Sequence, residues 1–115
     1  TEKNPFQEQN KMLLKINSNK ISANMYINNQ GFIVTKGSQA KKNLSKSCTI
    51  TYRTLRQKLL DTDILKDNGE FYEFNVDYIF SSPSAASNMI LGRNSNGYTE
   101  WLSENGISLK ELEEK

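Results

Sequence analysis

Histidine is absent from this chain, which removes imidazole from any acid–base relay and from any metal-ligand set. Cysteine occurs once, at Cys48. One cysteine closes no internal disulfide and builds no thiolate zinc site. Without a histidine beside it Cys48 is a poor nucleophile, and the expected setting is a reducing cytoplasm. No apolar run approaches the roughly 20 residues of a membrane-spanning helix, and no signal peptide is visible. Gly-rich phosphate loops and nucleophile–base pairs are missing as well. The carboxylates that cluster, Asp61/Asp63 and Glu111/Glu113/Glu114, read as solvated surface charge. Together these absences predict a chain that is not an enzyme, uses no cofactor and no metal, and does not meet a membrane.

What is present is a polar chain of 115 residues, enough for one compact domain with a modest core. It opens on "TEKNPFQEQN", without a methionine, which suggests a piece of a longer protein whose missing part carries any chemistry. Residues 1–13 read as a linker or the end of a preceding segment, and 14–115 as a single domain. Charge is unevenly spread. Residues 36–66 hold eight basic and two acidic side chains, a balance of +6, whereas 67–115 hold three basic and nine acidic, a balance of −6. A basic segment suits nucleic acid or another polyanion. Mutual neutralisation of the two parts across one fold is the competing account.

The hydrophobic pattern predicts an α+β domain: a small antiparallel sheet of four to five strands, two main helices and a short C-terminal helix. Residues 12–17 are a first strand or the end of an entering helix. Ile21, Ala23, Met25 and Ile27 alternate as in a half-buried strand, and "FIVTKG" over 32–37 pairs antiparallel to it across the "NNQG" turn. Residues 38–47 read as a loop. A helix follows, capped by Thr49 or Thr51, with Tyr52, Leu55, Leu59 and Leu60 on its apolar stripe. Residues 71–80 hold one strand or two short ones. Pro83 opens a second helix over 83–91, with Ser81 or Ser82 as N-cap and Gly92 as C-cap. "NSNG" turns, "YTEWL" over 98–102 alternates as a final strand, and "SLKELEEK" is a short helix or tail.

Two groups of residues are candidates for binding. The start of the second helix offers free N–H groups and the positive end of a dipole, with Ser82 and Ser84 adding hydroxyls, an arrangement that suits phosphate. Ser82 capping its own helix is the structural alternative and is compatible with it. After that helix, Arg93 could pair with Glu100 or meet a phosphate or base. Asn96 serves the turn or reads a base edge, and Tyr98 offers a ring for stacking while Trp101 enters the core. The second group is basic: Lys36, Ser38, Lys41 and Lys42 after the second strand, and Arg53 and Arg56 three apart on one helix face.

The segments "GFIVTKGSQA", "LRQKLL", "FSSPSAASNMILGR" and "SNGYTEW" resemble, in that order, an uncharacterised domain found at the C-terminus of GIY-YIG-type nucleases and related bacterial proteins. That domain is similar to the RAMA domain of restriction enzymes and adenine methylases. The resemblance spans about residues 14–112 and places Gly37-Ser38, Ser82-Pro83-Ser84, Ala85-Ala86, Gly92-Arg93, Asn96-Gly97 and Trp101 at recurrent positions. The chain departs at Tyr98, where relatives often carry Trp, and at Asn94, where Ser is usual. The resemblance implies a non-catalytic accessory domain that binds DNA or senses its modification, beside an upstream catalytic domain of the same polypeptide. Neither a GIY nor a YIG tripeptide occurs in this chain. The alternative is a protein-interaction or dimerisation module that uses the acidic tail or a sheet edge.

Overall fold

The computed structural model of the chain describes residues 12–18 and 20–114. Residues 1–11 of the expected linker lie outside the described residues, whereas Met12 and Leu13 belong to the first strand. In chain order the elements are β1 (Met12–Ser18), β2 (Ile21–Asn28), β3 (Gly31–Val34), β4 (Gln39–Lys41), α1 (Ile50–Asp61), β5 (Leu65–Asp67), β6 (Phe71–Phe74), β7 (Tyr78–Phe80), α2 (Pro83–Leu91), α3 (Gly97–Glu100) and α4 (Leu109–Glu113). The fold is α+β, with its strands in two antiparallel sheets rather than one: β1-β2-β3-β7 and β4-β6-β5.

The period-two pattern explains the larger sheet. Leu14 and Ile16 on β1 and Ile21, Ala23 and Met25 on β2 all turn inward and are buried. Register is set by these rows: Leu14 faces Met25 and Ile16 faces Ala23. A one-residue slip would expose every one of them. Val34 and Phe80 continue the buried face across β3 and β7.

α2 packs beneath this face and is buried along its length, apart from half-buried Ser84. Its small residues, Ala85 and Ala86, let it approach closely, and Met89 and Ile90 are fully enclosed. Complete burial of side chains of that size stabilises by about 1.5–3 kcal/mol each. Trp101 and Leu109 close the core from the C-terminal side.

Two segments take a form other than the one their pattern predicts. Gln39–Lys41, expected as loop, is a strand, because its partners on β6 complete a three-residue ladder from Gln39–Glu73 to Lys41–Phe71. Residues 98–102, expected as a strand, begin instead as the helical turn α3. Only Leu102 keeps strand character: it exchanges both backbone hydrogen bonds with Lys15, at 2.8 and 3.0 Å.

Candidate nucleic-acid interface

The segment 82–101 folds as one self-bonded unit. Ser82, extended at the N-cap, accepts from the Ala85 N–H at 3.0 Å, and Pro83 fills the first turn. Gly92 ends α2 at φ 70°, in the left-handed region, with its N–H donating to the Asn88 carbonyl. The returning chain then lies across the helix start. A Cβ at Gly97 would stand 2.2–2.4 Å from the Pro83 carbonyl group and the Ser84 nitrogen, so only glycine fits there. The Gly97 N–H donates to Ser84 Oγ at 2.8 Å, and the Trp101 indole N–H donates to the Pro83 carbonyl at 3.0 Å. Ser95 donates its N–H to Asn88 Oδ1 at 2.7 Å and shares a 2.6 Å hydroxyl contact with Ser87.

This closure corrects the phosphate cradle expected at the α2 tip. The Ala85 and Ala86 amides are taken by Ser82, and the Ser84 amide lies under Gly97. Asn96 caps α3, accepting from the Tyr98 N–H at 2.9 Å. Arg93 pairs with Glu100 at 3.1 Å. Trp101 is fully buried and Tyr98 is 37% exposed, the division expected, although a helical turn rather than a strand produces it.

The basic group is also redistributed. Arg56 is buried, not surface-facing. Its guanidinium donates to the carbonyls of Lys41 and Met89 and lies 5.6 Å from the centre of the Tyr72 ring. It therefore bolts β4 to α2. Burial pulls its pKa below the ordinary arginine range, the nearby Cys48 and Tyr72 acting the other way. The position was legible in part, because residue 56 falls within the stripe of Tyr52, Leu55 and Leu59. Arg53 donates to the carbonyls of Cys48 and Ser45, at 2.9 and 2.8 Å, and so ties the preceding loop to α1. Ser38 is buried too. Its hydroxyl accepts from the Asn24 N–H at 2.9 Å and reaches the Asn24 carbonyl at 3.2 Å. Lys36 stays exposed, next to Asp77, whose carboxylate accepts the Lys36 N–H at 2.7 Å.

Positive charge gathers at the opposite end of α2. A groove of about 570 Å³ opens there, lined by Lys20 and Ile21 from the β1–β2 corner, Lys41 at the end of β4 and Lys42 to Ser45 after it, Glu70 and Phe71 at the start of β6, and Leu91 and Arg93 at the end of α2. Lys20 reaches the rim through a left-handed backbone, φ 74°. Lys42 is tied to Asp67 at 2.6 Å and lies over the Tyr72 ring. That hydrogen bond, aided by the Gly69 N–H, holds the Asp67 carboxyl below its ordinary value of 3.8. The loop after Lys42 is stitched to the helix end by Ser45 N–H to the Gly92 carbonyl, at 2.8 Å, and by Asn94 N–H to Ser47 Oγ, at 3.0 Å. Among the described residues no three His, Cys, Asp or Glu side chains gather as a metal-ligand set, and no helix is long and apolar enough to cross a membrane.

The family model described as Domain of unknown function (DUF4357) matches residues 14–113. The chain belongs to this family. No curated protein and no solved structure matches the chain. In this DUF4357 domain the matched span takes in both the self-bonded unit and the groove. Of the expected contact residues, the groove brings together Lys41, Lys42 and Arg93; it adds Lys20 and Phe71. Nothing local marks Lys20, which meets Lys41 only because β2 and β4, strands of different sheets, pack against each other. Phe71 reads in sequence as an ordinary strand residue.

Proposed function

We propose that this domain is a non-catalytic DNA-binding or DNA-modification-sensing accessory module, one that orients a nuclease or methylase domain of the restriction–modification or GIY-YIG type. The observation that carries the reading is the convergence of Lys20, Lys41, Lys42 and Arg93 on one groove that holds a single carboxylate, Glu70. Concave cationic surfaces focus potential and hold phosphates at salt-dependent affinity. The ordered resemblance to domains that accompany DNA-processing enzymes supports the same partner. Contact moves from the tip of α2 to this groove, with Arg56 and Ser38 as internal struts.

The test is fluorescence anisotropy of labelled duplex, single-stranded and adenine-methylated oligonucleotides titrated with the 115-residue chain over a range of salt. Affinity should fall linearly with log salt concentration. Absence of binding at low salt would sink the reading.

A second reading, a dimerisation or protein-interaction module, has one observation in its favour. Leu13 and Ile79, 65% and 49% exposed, stand on the row Leu13–Tyr26–Ile33–Ile79 that crosses the larger sheet. Light scattering on the parent and on Leu13→Ser separates the two readings: a concentration-dependent dimer lost in the variant supports the second.

A further inference from the structure

We infer that the groove takes a single unpaired nucleotide, a phosphate with an exposed base, and not a stretch of intact duplex; this rests on the DNA-binding reading above. Three features lead there. The first is size: at about 570 Å³ the groove lies within the range of small-molecule pockets, about 300–1,000 Å³, and has no room for a duplex.

The second is charge count. Lys42 is held by Asp67 and Arg93 by Glu100, which leaves Lys20 and Lys41 without an ion-pair partner among the described residues. Two free ammonium groups suit one phosphate. Glu70 in the same wall disfavours a second one, so the lining is wrong for tracking a run of backbone.

The third is the ring. Lys41 on β4 is the direct cross-strand partner of Phe71 on β6, and side chains so paired stand side by side on one face. Phe71 is half-buried and lines the groove. Phe71 packs in part against the core and keeps the rest of its ring on the groove, and a cation beside such a ring is the unit that holds a phosphate while its base stacks. Arg56 fixes this pair from behind, through its bond to the Lys41 carbonyl. The ligand could arrive as a free mononucleotide or as an unpaired position in a strand. Both present the same chemistry.

The experiment compares four probes against the 115-residue chain at one low salt concentration: deoxyadenosine monophosphate, a single-stranded oligonucleotide, an intact duplex and the same duplex with one bulged nucleotide. Single strand and bulge should bind about 10-fold tighter than intact duplex. Phe71→Leu, which keeps an apolar side chain and removes the ring, should lose that preference while its thermal unfolding stays cooperative. Phe71→Tyr should keep it. If duplex binds as tightly as the others and Phe71→Leu changes nothing, the nucleotide inference is overturned and the DNA-binding reading stands. Binding of the mononucleotide alone, with amide shifts at Lys41 and Phe71, overturns the DNA-binding reading and with it the claim that the nucleotide belongs to DNA. No binding of any probe overturns both.

Discussion

Arg56 and Arg53 look alike in sequence, two cations three residues apart on one helix. The fold gives them different work. Arg56 is buried and satisfies two carbonyls on two other elements, whereas Arg53, half-buried, serves a local loop. Arg56→Ala leaves those carbonyls without donors and should destabilise by about 3 kcal/mol, against about 1 kcal/mol for Arg53→Ala. Urea denaturation of the two variants measures the difference, and equal losses would refute the strut. Gly97 is the other decisive residue. Ala at that position drives a methyl into the backbone of Pro83 and Ser84, so Gly97→Ala should cost about 3 kcal/mol or more, seen as a large fall in urea midpoint. The recurrent Ser-Pro-Ser, Asn-Gly and Trp of the resembling segments thus have a local physical account: they lock α2 to the turn that follows.

Helices were more legible than strands, and the reason is local chemistry. α2 announces itself by Ser82, Pro83 and Gly92, signals that act within a few bonds of where they stand. α4 carries a capping box, Ser108 with Glu111, of the same kind. β4 has no such signal. Its three residues are a strand only because β6 lies alongside. The "YTEWL" alternation misleads for a related reason: Asn96 caps a helical turn and Gly97 docks on Pro83, and these outweigh a five-residue pattern. At this scale a pH effect is expected. Lys42 clips the loop after β4 to Asp67 at the end of β5. The Asp67 pKa lies below its ordinary 3.8 in the folded state, so the pairing stabilises above that value and is lost as pH falls through the folded pKa. The melting-temperature gap between the parent and Asp67→Asn should be full at neutral pH and close below 3.8.

Across the whole molecule, the excess positive charge of residues 36–66 is only partly available. Arg56 is internal, Arg53 is bound to carbonyls and Lys42 is paired. Lys20, from outside that segment, joins Lys41 instead. The double variant Lys20→Ala/Lys41→Ala should lower DNA affinity at low salt and reduce the salt slope by roughly 1–2, with little change in melting temperature. An unchanged slope would remove these lysines from the contact. The sequence by itself determined the fold class, the inward rows of the larger sheet and both ends of α2, because side-chain periodicity and capping depend on near neighbours alone. Only the tertiary structure decided which cations face solvent, that the α2 tip is covered, and where a groove opens. Those outcomes depend on which distant strands pair and on how closely one backbone rests on another.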